Sequence, residues 1–200
     1  MDRVCREAER MVDAGYDFLI LSDRAVDAEH APIPSLLACA GVQHHLIRVQ
    51  KRTQCALIIE TAEAREVMHF ALLFGYGASV VNPYGAFALL HDLYKAGRLP
   101  SVHNYLEAEN IYIDAIDKGL LKVLSKLGIS TLRSYHGAQT FEAIGLSKAL
   151  VDEYFTGTES RIDGIGLEEI ATEALMHHEL AYVERPALLP TEGIYQYRKG

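Results

Sequence analysis

Three short apolar runs in this chain each close on residues able to do chemistry. DFLILSD ends in Ser22 and Asp23, with Arg24 next; CALIIET ends in Glu60 and Thr61; ASVVNP ends in Asn82 and Pro83. Two carboxylates and an amide at such positions can hold a ligand or a divalent metal. They can equally cap the helices that follow and satisfy one another, which is the ordinary work of side chains at strand–helix turns. A second group lies in KVLSKLGISTLRSYHGAQTFEAIGL, Lys122 to Leu146, where Ser130, Thr131, Ser134 and His136 are gathered among glycines. His136 is the lone candidate there for a polar role. No Cys or Ser stands at a spacing that would pair with it as a nucleophile.

Other reactive types do not assemble into sets. His44 and His45 are adjacent, so on a helix they point about 100° apart and cannot share a metal; His177 and His178 fail in the same way. Lys122 and Lys126 share a helix face near Arg133, a pattern that attracts an anion or simply faces water. Cys5, Cys39 and Cys55 form no CxxC pair, so neither zinc nor an iron–sulfur cluster is expected from this chain alone; they read as small buried hydrophobes in a reducing compartment. Gly75-Tyr76-Gly77 follows a helical pattern rather than a strand, which makes it a helix end and not a phosphate cradle. No complete catalytic set is present.

Positioning these residues requires alternating elements. Helical periodicity predicts a helix over 3–14, stopped at Gly15, and the continuous apolar run 17–23 predicts a strand buried on both faces. The same alternation follows as helix 34–52, strand 55–61, helix 64–77, strand 78–83 and helix 84–99. Such β–α alternation with short connections implies a parallel sheet with covering helices, and the unit length suits a (β/α) barrel or a doubly wound sheet. Beyond Pro100 a long amphipathic helix is predicted over 103–127, with Gly119 weakening its middle and Gly128 ending it. Helices are then predicted near 138–144 and 147–155, a polar loop over 156–166, a helix over 167–182 and an extended tail. The fold class expected is α/β: a partial (β/α) barrel-like sheet followed by a mainly helical C-terminal extension.

Half of the 200 residues are hydrophobic and 23% are charged, the balance of a globular protein. A net charge of −8 argues against a nucleic-acid partner, which needs a basic face. The opening MDRVCREAER is too charged for a signal peptide, and no apolar run reaches the ~18–20 residues a membrane span needs, so a cytoplasmic protein is expected. The chain starts inside an amphipathic helical pattern and stops without a closing element, which suggests a part of something larger.

The composite pattern resembles the large subunit of glutamate synthase. The stretches that carry the resemblance are SDR at 22–24, ETAEAREVMHFALLFGYGA at 60–78, NPY at 82–84, KGLLKVLSKLGIST at 118–131 and YFTGTESRIDGIG at 154–166. It runs collinearly from about residue 17 to the end. The resemblance implies an enzyme that makes two glutamates from glutamine, 2-oxoglutarate and two reducing equivalents. Its glutaminase domain, with a terminal cysteine nucleophile, would release ammonia from glutamine. The ammonia would pass through an internal tunnel to an FMN-bearing (β/α) barrel fed by an iron–sulfur cluster. The central domain, to which this chain is similar, would bind no flavin, join the two catalytic domains and help wall the tunnel.

By that resemblance, residues 1–135 are the C-terminal part of the central domain and 136–200 the connection into the FMN synthase domain. Ser130, Thr131 and His136 then become candidates for the tunnel or the junction. Partners implied are the glutaminase and FMN synthase domains, with an electron-donor subunit or ferredoxin. The chain departs from the whole enzyme by having no N-terminal catalytic cysteine and no clustered cysteines. The competing readings are a stand-alone regulatory or ligand-binding α/β domain with its ligand at Asp23, Glu60 and Asn82, and a free-standing (β/α) enzyme, for which a catalytic set is missing.

Overall fold

A computed structural model describes residues 1–183. Its first half is three β–α units. Helix α1 (Asp2–Asp13) precedes strand β1 (Phe18–Ser22); α2 (Ser35–Arg48) leads to β2 (Ala56–Glu60), and α3 (Val67–Gly75) leads to β3 (Val80–Asn82). The strands are parallel in the order β1-β2-β3. Phe18 stands opposite Ala56 and Ser22 opposite Glu60, while Glu60 stands opposite Asn82. The register therefore brings Ser22, Glu60 and Asn82 level at one sheet edge.

The helices cover one face. Cys5, Ala8 and Val12 of α1 pack with Leu19, Leu57, and Val42 and Leu46 of α2. Cys39 of α2 packs with Ile59, and with Phe70 and Leu73 of α3. Fully burying a side chain such as Leu46 or Leu57 contributes roughly 1.5–3 kcal/mol. The other face is bare among the described residues: Phe18 is 68% exposed, Ile20 63% and Val80 51%. This corrects the expectation of strands buried on both faces. The runs are apolar on both sides, and among the described residues the helices cover only one of them.

Next come α4 (Tyr84–Lys95) and the 23-residue α5 (Tyr105–Leu127). The Asn104 side chain caps α5 by accepting from the Glu107 amide at 3.0 Å. Gly128 ends it with φ 70°, the left-handed conformation that glycine adopts without strain.

The C-terminal extension contains α6 (Leu132–Tyr135), β4 (Glu142–Leu146), α7 (Lys148–Tyr154), β5 (Glu159–Ile165) and α8 (Leu167–Ala181). It keeps the expected helices over 147–155 and 167–182. The helix expected near 138–144 and the loop expected over 156–166 are instead two parallel strands, β4 and β5. Ala143, Ile144 and Leu146 gave no alternation, and ESRIDGI carries too few apolar residues to read as a strand. What makes the pair is close approach: a Cβ on Gly164 would lie 2.1 Å from the Gly145 carbonyl oxygen. The described strands form these two small sheets and no closed barrel. The tail expectation falls outside the described residues.

The two parts share a core. Leu37 and Ala40 of α2 pack with Leu150, Val151, Tyr154 and Phe155 around α7. Arg48 also donates to the Glu153 carbonyl at 2.9 Å.

Candidate functional site

The strand ends form a closed polar knot. Glu60 Oε2 accepts from the Ser22 hydroxyl at 2.6 Å, and Oε1 accepts from Arg24 Nε at 2.7 Å and Asn82 Nδ2 at 3.2 Å. Asp23 Oδ2 accepts from the Thr61 hydroxyl at 2.7 Å and from the Ala62 amide at 3.0 Å. The Arg24 guanidinium lies over the Tyr84 ring, 4.1 Å from its centroid. The bonds from Ser22 and Arg24 hold the Glu60 carboxyl below its ordinary range. Burial, and then the Asp23 carboxylate beside it, push the Tyr84 phenol up to about 12. At neutral pH the knot is an ionised Glu60, a charged Arg24 and a neutral Tyr84.

The structure thus brings Asp23, Glu60 and Asn82 to one edge, where both carboxylates accept from protein donors and the Asn82 amide donates to Glu60. Among the described residues no group of three or more His, Cys, Asp or Glu is placed to hold a metal ion. The geometry braces the C-terminal ends of three parallel strands and fixes the turn into α4.

The second candidate group lies elsewhere. Thr131 caps α6: its Oγ accepts from the Ser134 amide at 3.3 Å and contacts the Ser134 hydroxyl at 2.8 Å. Tyr135 is buried and donates its hydroxyl to the Ala71 carbonyl at 3.1 Å, and the Gly137 amide donates to Gly75 O at 2.8 Å. These bonds pin the junction onto α3. His136 follows. Burial, and then the Arg52 charge, lower its pKa, while a hydrogen bond to the Ala78 backbone opposes them. The ring is therefore neutral at pH 7, and its Nε2 is buried with no hydrogen-bond partner among the described residues.

Arg52 organises the surroundings. Its guanidinium donates to the Gln43 side chain, to Cys55 O at 2.7 Å and to Gly77 O at 2.8 Å. Cys55 precedes β2 and Gly77 precedes β3, so this cluster sits at the N-terminal end of the sheet. Asp23, Glu60 and Asn82 sit at the opposite end. Ser130, Thr131 and His136 are close in sequence, but only His136 is drawn into the Arg52 cluster. Sequence reasoning missed Tyr84, Arg52 and Tyr135 as organising residues. For Tyr84 a signal existed, since it begins a helix directly after a strand end.

The donor set does not fit the cofactors that the resemblance implies for the whole enzyme. Cys5 and Cys39 belong to separate core clusters, and burial pushes the Cys39 thiol up to about 12, the reverse of what a thiolate ligand needs. Gly75 and Gly77 end α3 and present no cradle at a helix start.

What remains is an open parallel (β/α) sheet whose polar ends hold the scaffold together. The family model "Glutamate synthase central domain" matches residues 1–147, and the chain belongs to that family. It is 45% identical over its full length to the NADH glutamate synthase of Saccharomyces cerevisiae, covering 10% of that protein. It is 45% identical over 97% of its length to the NADPH glutamate synthase large chain of Bacillus subtilis, covering 13%. It is 40% identical over its full length to the ferredoxin-dependent glutamate synthase of Pyropia yezoensis, covering 14%. The chain thus spans about a tenth to a seventh of the length of these relatives. No described helix is long and apolar enough to cross a membrane.

Proposed function

We propose that this chain is the noncatalytic connecting segment of a cytoplasmic glutamate synthase. It would join the glutaminase and FMN synthase domains and help wall the path of ammonia between them. Residues 1–135 would be the central-domain body and 136–200 the passage into the synthase domain. FMN and the iron–sulfur cluster would be held elsewhere in that enzyme. The observation that carries this reading is similarity along the whole chain to glutamate synthases, in a chain whose strand-end side chains are bound to one another. Near-equal identity to relatives named for NADH, NADPH and ferredoxin supports a role that does not choose the electron donor.

Chemistry favours His136 on such a path. A neutral imidazole with a bare acceptor takes a hydrogen bond from ammonia, while the neighbouring Arg52 charge repels ammonium. Ser130 and Thr131 stand at the entry to the same turn. The test compares glutamine hydrolysed with glutamate formed by the full-length enzyme. His136→Phe, Ser130→Ala and Thr131→Val are expected to raise hydrolysis above synthesis. A ratio unchanged in all three variants removes the junction from the path.

A further inference from the structure

A half-buried charge without a counter-ion carries an inference beyond this role. Lys51 pairs with Glu9 at 2.9 Å and with Asp13 at 2.7 Å. Its neighbour Arg52 makes no ion pair among the described residues, in a chain with 27 acidic residues. Its bonds go to neutral acceptors: the Gln43 side chain, Cys55 O and Gly77 O. A guanidinium has five N–H donors, so one on Nη1 and one on Nη2 have no partner among the described residues. The titratable groups that act on Arg52 are Cys39 and Cys55, and burial favours the protonated thiol in both. Taking a charge out of water is costly unless an opposite charge meets it.

Gln43 adds further donors. It is 9% exposed on α2, and its Oε1 accepts from Arg52 Nε. Its place depends on Gly77, where a Cβ would stand 2.2 Å from Gln43 Oε1. With the amide oxygen turned to Arg52, Nε2 has no hydrogen-bond partner among the described residues. Only His136 Nε2 is both unpartnered and fully buried among them, so Gln43 Nε2 reaches solvent. A positive charge and unused N–H groups are thus gathered beside one another, with no acceptor to meet them.

We propose that Arg52 and Gln43 form a binding site for a small free carboxylate, one oxygen accepting from the Arg52 guanidinium and the other from Gln43 Nε2. A carboxylate brings the missing negative charge and two acceptor oxygens, the combination that arginine recognises best. Chloride brings the charge on a single centre. The site goes beyond the ammonia path proposed above and does not rest on it. An unchanged ratio of hydrolysis to synthesis in the junction variants removes that path and leaves this site standing.

His136 reports on the site. Burial, and then the Arg52 charge, disfavour its protonated form, and an anion on the guanidinium offsets the second of these. Deuterium uptake at the imidazole C2 carbon of His136, read by mass spectrometry across pH on the full-length enzyme, gives its titration midpoint. Acetate is expected to raise that midpoint in a saturable way, and chloride at equal ionic strength to leave it unchanged. An equal rise in chloride is screening and overturns the site. So does no rise in acetate, including the case in which a carboxylate of the enzyme itself already sits on Arg52. Arg52→Gln is expected to require roughly tenfold more acetate, or beyond, for half of its effect. Gln43→Glu keeps the shape of the side chain and sets a carboxylate on Arg52 from α2. It is expected to show the acetate-saturated midpoint without acetate and to respond to acetate no further. A full acetate response in Gln43→Glu would overturn the proposal.

Discussion

Glu60 receives donors from Ser22, Arg24 and Asn82, all of which favour its ionised form. Its folded pKa lies below the ordinary value of 4.5. The sign follows: the charged form is favoured by folding, so the contribution is present above pH 4.5 and is lost as pH falls through the folded value. Glu60→Gln is therefore expected to lower stability at pH 7 and to flatten the acid limb. Denaturant unfolding of both proteins between pH 7 and pH 3 reads this directly. Parallel curves would mean that the knot contributes no charge-dependent stability. Asp23, Glu60 and Asn82 were legible in the sequence because parallel strands place their last residues together. Arg52 was not, since its partners Gln43, Cys55 and Gly77 meet only when three separate units pack.

At the scale of elements, Gly119 shows how a local cost is explained by a contact far along the chain. In the interior of a helix, glycine costs about 1 kcal/mol relative to alanine. A Cβ at this position, however, would stand 2.3 Å from Val67 Cγ2 on α3. Overpacking of that kind costs typically 1–3 kcal/mol, so the contact outweighs the propensity. Gly119→Ala is expected to destabilise, whereas in a Val67→Ala background the same change is expected to stabilise by up to about 1 kcal/mol. A urea double-mutant cycle measures the difference, and additive effects would show that α3 and α5 do not meet there. Helices α1 to α5, α7 and α8 were legible from periodicity, and the first three strands from their continuous apolar runs, whereas the single turn of α6 is too short to show a period. Strands β4 and β5 were not, because parallel pairing between segments on either side of α7 leaves no mark in local alternation.

For the whole molecule, the question is whether the junction at residues 135/136 separates two units or fastens them. Leu37 and Ala40 on α2 share a core with Leu150, Val151, Tyr154 and Phe155 on and beside α7. The Tyr76 hydroxyl reaches Thr158 at 2.7 Å, and Tyr135 anchors the turn between the two sheets on α3. A functional division there need not be a mechanical one, because core contacts couple the stabilities of the elements they join. In the full-length enzyme the amides of β2 and of β5 are expected to lose protection together as urea is raised. Leu150→Ala removes a buried side chain from the shared core at a cost of about 2–5 kcal/mol. The loss is expected to fall on β4 and β5 first, so that they open at lower urea than β2. If the two sheets already open separately in the unaltered enzyme, the shared core does not couple them, and the connection would flex where it is now expected to hold a fixed path between two active sites.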